Sequence, residues 1–292
     1  TGWWGVDGEG AGAEAPGAAY SAYGYLDDVF AYMDPYAAFL NDANTSVRVD
    51  PHVLATPALA DVDGDGDLEL VVSISYYFDH QRYEHHRAPK GVDPDMYVAG
   101  GLACWSIRGR MWRWRVHFDQ STAHVKFPAY VHASPTVVDL DGDGSMEVIV
   151  GTEMGMLYVV DGASGYDRRP FPFQMGRMQA AVAAADVSGD SALEMIAADL
   201  HGNLVVLSLE GQVVWKKQLS GAATHTPTLG DVDGDGDLDI VVAATGPEGH
   251  LRLHVLDGAS GEDLEHFPLR VQRTGTGAVS PVLLTNLHPF GH

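Results

Sequence analysis

Four short stretches hold the residues that could do chemistry. The fullest is Asp61-Val62-Asp63-Gly64-Asp65-Gly66-Asp67-Leu68-Glu69, and it recurs as DLDGDGSME from Asp139 to Glu147 and as DVDGDGDLD from Asp231 to Asp239. A weaker copy, DVSGDSALE, runs from Asp186 to Glu194. Carboxylates at positions 1, 3, 5 and 9, with a backbone carbonyl at position 7, can set five or more hard oxygens around one point, which is the donor set of calcium. The expected ligands are Asp61, Asp63, Asp65, Asp67 and Glu69 in the first stretch, and Asp139, Asp141, Asp143, Ser145 and Glu147 in the second. In the fourth they are Asp231, Asp233, Asp235, Asp237 and Asp239. The weaker third stretch offers Asp186, Ser188, Asp190, Ala192 through its carbonyl, and Glu194; Ser188 replaces a carboxylate and Ser191 replaces a glycine. Glycine at positions 4 and 6 lets the backbone take the positive φ that a tight wrap demands.

The elements that must position these loops are strands. TPALA, SPTVV and TPTLG precede the three strong copies, and LELVVSIS, MEVIVGT and LDIVVAA follow them. These apolar, β-branched runs read as strands. An EF-hand would need a bidentate Glu at position 12 and a helix, but position 12 is Val72, Val150 and Val242. An Asp-Gly pair alone is a hairpin turn. Three copies in one phase ask for more, because a turn needs no carboxylates at positions 1, 3, 5 and 9.

Two further strands follow each loop: GGLACWSI and MWRWRVHF, GMLYVV and a short strand toward Phe171 and Phe173, NLVVLSL and VVWKKQL, LRLHVL and EHFPLRV. A four-stranded unit recurring at about 45 residues is the pattern of a β-propeller blade. The expected fold is all-β, with four-stranded blades at about 52–120, 129–173, 178–220 and 224–272 and the start of a fifth at 278–292, part of a seven-bladed-type ring. Residues 51–292 form the propeller in this reading. Residues 1–50 are a Gly-, Ala- and Tyr-rich lead-in with short helices, one carrying Leu26, Val29, Phe30 and Met33 on one face and one starting at Asp34-Pro35. The first blade carries an insertion over residues 77–100, in which His80, His85, His86, Asp79 and Glu84 offer transition-metal ligand types. A solvated or partner-contacting loop is the simpler expectation there.

Net charge is −23, and the four stretches carry 17 of the 40 acidic residues. Four calcium ions would still leave the chain strongly acidic, which excludes nucleic acid as a partner class because phosphate binding needs a basic footprint. Cys104 is the single cysteine and lies in an apolar strand, so it reads as a buried, inert thiol. No apolar run reaches the length of a spanning helix, so membrane attachment is expected only through a segment outside these residues. Asn44-Thr45-Ser46 is an N-glycosylation sequon and points to the secretory route.

The repeated loops resemble the FG-GAP repeats of integrin α-subunit propellers. The runs TPALADVDGDGDLELVVSISYYFDH, YVAGGL, SPTVVDLDGDG and VGTEMGMLYVVDG are similar to the plant Defective in exine formation family, over roughly residues 50–285 and including the insertion. That resemblance implies a glycoprotein of the secretory pathway or cell surface, anchored by a membrane helix beyond these blades, that binds calcium and helps lay down wall material. Such a chain would be a non-catalytic interaction scaffold, with other proteins, or a segment completing the propeller, as partners.

Extracellular calcium modules bind with Kd of about 10⁻⁴ to 10⁻³ M. At about 1 mM calcium each site would add about 1.4 kcal/mol, whereas submicromolar cytosolic calcium would leave the loops nearly empty. Two other readings are open. A quinoprotein-like propeller enzyme is suggested by the DGASG turns and by Trp112, Trp114 and Trp215, although packing in a sheet is sufficient reason for those rings. A carbohydrate-binding propeller is suggested by Tyr76, Tyr77 and Tyr83.

Overall fold

The computed structural model describes residues 49–78, 98–120, 128–246 and 249–271. The chain divides into two compact units, Thr1–Val49 with Asp79–Val92 and Asp50–Phe78 with Asp93–His292. All described residues except Val49 belong to the second. The expected lead-in helices, Asn44, Tyr83, the histidines of the insertion and the fifth blade lie outside the described residues.

Every described element is a strand. The first sheet holds β2 (Ala58–Ala60), β3 (Glu69–Phe78), β4 (Ala99–Ser106) and β5 (Met111–Gln120), with β1 (Val49–His52) added beside β3. The second is β6 (Thr136–Val138), β7 (Glu147–Gly151), β8 (Met156–Asp161) and β9 (Phe173–Gln174). The third is β10 (Ala183–Ala185), β11 (Glu194–Ala198), β12 (Asn203–Leu207) and β13 (Val213–Gln218), and the fourth is β14 (Thr228–Gly230), β15 (Asp239–Thr245), β16 (Leu251–Asp257) and β17 (Leu269–Val271). Within each sheet four consecutive strands, β2–β5, β6–β9, β10–β13 and β14–β17, form an antiparallel meander in chain order. These are the four-stranded blades of a β-propeller. The strand β1 begins two residues before the expected start of the propeller at residue 51.

The blades pack face to face, which explains why their second strands are apolar without alternation. In β7, Val148 and Val150 face the first blade together with Val71, Cys104 and Trp114. Ile149 faces the third, with Met195 and Ala197. In β11, Ile196 and Ala198 in turn face Ile240 and Val242 of the fourth. A strand buried on both sides needs apolar residues at every position, and EVIVG and EMIAA supply them.

A second device joins alternate blade pairs. The indole Nε1–H of Trp114 on β5 donates to the carbonyl of Gly162, 2.7 Å away, in the DGASG turn of the second blade. Trp215 on β13 donates in the same way to Gly258 in the DGASG turn of the fourth, at 2.8 Å. The last glycine of each turn lies flat on the ring. A Cβ on Gly165 would sit 2.7 Å from Trp114, and one on Gly261 would sit 2.6 Å from Trp215. Two of the three outer-strand tryptophans that suggested a quinoprotein pattern, Trp114 and Trp215, thus have a structural use.

Candidate functional site: four acidic loops

The loops are placed by strand register. Ala60 pairs with Glu69, Val138 with Glu147, Ala185 with Glu194 and Gly230 with Asp239. Position 9 of each loop is therefore the first residue of the second strand, opposite the residue that precedes position 1. This register drives the position-9 carboxylate inward in every blade: Glu69, Glu147, Glu194 and Asp239 are all buried, Glu69 completely. One oxygen of each accepts the backbone N–H of position 2, from Val62 (3.3 Å), Leu140 (2.8 Å), Val187 (2.9 Å) and Val232 (2.7 Å). The apolar side chain at position 2 turns outward to the next blade; Val62, Leu140 and Val187 are buried, and Val232 on the fourth blade is exposed.

The position-1 carboxylate organises the loop itself. Asp61 accepts N–H groups from Asp65 and Gly66 at 3.1 and 2.8 Å, and Asp231 accepts those of Gly234 and Gly236 at 2.6 and 3.2 Å. Asp139 and Asp186 do the same in their loops. The wrap needs left-handed backbone at positions 4 and 6. Glycine supplies it at Gly64 and Gly66, but in the third loop the second such position is Ser191, at φ 73°.

The result is a convergence of three carboxylates in each loop, with one oxygen from each within 4.8 Å of the others: Asp61, Asp63 and Glu69; Asp139, Asp141 and Glu147; Asp186, Asp190 and Glu194; Asp231, Asp233 and Asp239. Positions 1, 3 and 9 thus meet in loops one, two and four, and positions 1, 5 and 9 meet in the third. At position 5, Asp65, Asp143 and Asp235 each accept the N–H of position 7. Position 7 stays outside the convergence: Asp67 receives Arg108 at 2.9 Å.

The loops differ in how the remaining oxygens are satisfied. In the first, Asp63 Oδ1 and Glu69 Oε1 are buried and have no hydrogen-bond partner. Burial raises the Glu69 carboxyl above its ordinary range, and the charges of Asp63 and Asp65 push the same way against the Val62 N–H and Arg113. Arg113 on β5 ion-pairs with Asp63 and with Asp65 (2.8 Å) but stands 3.9 Å from Glu69 Oε1. In the second, Arg168 bonds both Glu147 Oε1 and Asp141 Oδ2 and holds the Asp141 carboxyl below its ordinary range. In the third, the Ser188 hydroxyl donates to Glu194 Oε1 at 2.8 Å. In the fourth, no basic side chain among the described residues reaches Asp231, Asp233 or Asp239. Burial raises the Asp239 carboxyl, and the charges of Asp233 and Asp235 add to it. The repeat pattern of the sequence marks the carboxylates but not Arg113, Arg168 or the role of Ser188, because none of these residue types recurs in all four blades.

A different cluster sits at the opposite ends of the strands. Glu153, just after β7, is buried and accepts His132 Nδ1 (3.0 Å), Arg177 Nε (2.7 Å) and Gln179 Nε2 (2.6 Å). His132 Nε2 meets the Tyr77 hydroxyl at 2.8 Å. Tyr130 stacks on both rings, at centroid distances of 4.7 and 5.5 Å. The imidazole thus bridges the Glu153 carboxylate, through Nδ1, and the Tyr77 hydroxyl, through Nε2. No sequence pattern announced this cluster, since its members come from two blades and the segments between them.

The FG-GAP repeat is the family whose model matches the chain, over residues 223–250, which hold β14, the fourth acidic loop and β15. No curated protein matches the chain. Among solved structures it is similar to the biofilm matrix protein Bap1 of V. cholerae, at 19% identity and TM-score 0.39, covering 72% of this chain and 38% of that one. It is similar to the C-terminal domain of Pseudomonas aeruginosa PilY1 at 16% identity and TM-score 0.44, over 72% of this chain and 50% of that one. BamB from Moraxella catarrhalis shows 17% identity and TM-score 0.34, over 74% and 75% of the two chains. The chain spans half or less of the length of the first two.

Proposed function

We propose that this chain is a calcium-binding propeller segment of FG-GAP type that works without catalysis, as a protein-interaction scaffold of the cell surface or secretory pathway. The observation that carries the reading is the first loop. A fully buried glutamate oxygen, Glu69 Oε1, and a buried aspartate oxygen, Asp63 Oδ1, converge there without a hydrogen-bond donor. Buried carboxylate oxygens left unpaired are costly, and a hard cation with oxygen preference is the partner that fits them.

The ion would be held by Asp61, Asp63 and Glu69, by Asp139, Asp141 and Glu147, by Asp231, Asp233 and Asp239, and more weakly by Asp186, Asp190 and Glu194. Calcium would supply charge neutralisation at the start of each second strand. The chain's own residues set the loop, bury the position-9 carboxylate and tie it to position 2. Among the described residues no helix is long and apolar enough to cross a membrane.

The resemblance to the plant Defective in exine formation family gives the finer form of the proposal, a role in extracellular matrix or cell-wall assembly. Val232 and β17, exposed on the fourth blade, offer the face on which a segment or partner continuing the propeller would pack. Isothermal titration of the calcium-free protein tests the metal reading: the wild type takes up calcium, and Asp63→Ala and Asp233→Ala each lose a site. A wild type that binds none overturns it.

A further inference from the structure

We propose that Arg113 and Arg168 are tethered counter-cations that compete with the divalent ion for the first and second loops, leaving the fourth loop to fill first. This rests on the calcium reading above and concerns how the sites are ranked. In the second loop, Arg168 occupies oxygens of two of the three converging carboxylates. Glu147 Oε2 is taken by the Leu140 N–H, and Glu147 Oε1 and Asp141 Oδ2 both receive the guanidinium. A cation binding to Asp139, Asp141 and Glu147 must displace it from both.

In the first loop, Arg113 reaches Asp63 and Asp65 but stands 3.9 Å from Glu69 Oε1 and gives it no hydrogen bond. It competes for part of the set only. The two arginines stand at the same register position of their blades: Arg113 follows Trp112, the partner of Trp105, and Arg168 follows Asp167, the partner of Val160, where Trp105 and Val160 each pair with the residue after the position-9 glutamate. The third and fourth blades carry Val214 and Leu264 there, so a basic group is supplied only to the first two loops. The third loop spends the hydroxyl of Ser188 on Glu194, so one position-9 oxygen there is already satisfied by a neutral group. The fourth loop has carboxylates at all five odd positions and no basic side chain on its converging residues among those described. Among the described residues it holds no basic group for a cation to displace.

Coupling between a displaced group and a ligand is reciprocal and is commonly worth 5- to 150-fold in affinity. Removing the guanidinium should therefore act in opposite directions on the two states. The calcium-free protein loses a neutralising partner and melts lower, while calcium binds more tightly.

The experiment is calcium titration by calorimetry on wild type, Arg168→Gln, Arg113→Gln and the control Arg252→Gln, at about 0.15 M salt, where long-range charge effects are screened. Each titration is paired with thermal melts in EGTA. Arg252 lies at the far end of β16 from the fourth loop. The expected result is a gain of at least about fivefold at one site in Arg168→Gln, a smaller gain in Arg113→Gln, a lower calcium-free melting point in both, and no change in Arg252→Gln.

Equal calcium affinity in wild type and both variants overturns the competition and leaves the calcium reading standing. A gain equal in Arg252→Gln also overturns it, since net charge alone would then suffice. Failure of every protein, wild type included, to bind calcium overturns the underlying reading itself. If Arg168→Gln folds only with excess calcium, the rise of its melting point with calcium concentration replaces calorimetry, and a slope no steeper than wild type refutes the proposal.

Discussion

Glu153 gives the prediction whose size follows most directly from the geometry. Burial alone would push its carboxyl up, but hydrogen bonds from His132, Gln179 and Arg177 together with the Arg177 charge bring it down to about 2 from an ordinary 4.5. A carboxylate whose folded pKa is depressed stabilises the fold fully above its unfolded pKa and loses that contribution as pH falls toward the folded value. The window here opens near pH 4.5 and closes near pH 2. The whole contribution is about 3 kcal/mol, of which about 1.4 kcal/mol is gone by pH 3.5.

Urea unfolding of wild type and Glu153→Gln at pH 5.5 and 3.5 isolates the effect. Acid loss at the other carboxylates is common to both proteins and cancels in the difference. The variant should be the less stable by several kcal/mol at pH 5.5, because it leaves Arg177 and His132 without their carboxylate. Its deficit should shrink by about 1.4 kcal/mol at pH 3.5. A deficit that is the same at both pH values would refute the reasoning that these three partners hold the proton off Glu153.

Three further outcomes are expected. Trp114→Phe and Trp215→Phe each strip the donor from a turn carbonyl, Gly162 or Gly258, and should each cost about 1–3 kcal/mol in chemical denaturation; the two losses should add, since the sites lie in different blade pairs. Cys104 is fully buried, and burial pushes its thiol up to about 12, so a thiol reagent should leave it untouched in the native protein and react once urea unfolds the chain. Ser191→Gly relieves a left-handed serine at φ 73° and should raise stability by up to about 1 kcal/mol, read as a small increase in melting temperature.

The blades were legible because the physics that makes them is periodic. A loop of fixed phase, a strand apolar at every position and a turn at fixed distance recur together, so the pairing of Glu69 with Ala60 and of Asp239 with Gly230 could be expected from spacing alone. The loop carboxylates were legible for the same reason. What was not legible does not recur in every blade. Arg113 and Arg168 share one register position, but the third and fourth blades carry Val214 and Leu264 there, so no repeated residue type marks it. Likewise Tyr77, His132, Glu153 and Arg177 are spread over 100 residues and meet only because successive blades stand face to face. Strand β1 straddles the expected boundary between lead-in and propeller at residues 50 and 51. It pairs beside β3, which is a tertiary choice that local sequence does not make.

The most direct test of the central claim is thermal unfolding in about 1 mM calcium against excess EGTA, repeated for Asp63→Ala and Asp233→Ala. With the fourth loop at a Kd near 0.1 mM and the first two loops weakened by their arginines, the wild type gains between about 1.4 and 4 kcal/mol, or about 3–15 °C for a domain of this size. Asp233→Ala should remove more of that gain than Asp63→Ala. An unchanged melting temperature on adding calcium would contradict the account and reduce the four acidic loops to turns.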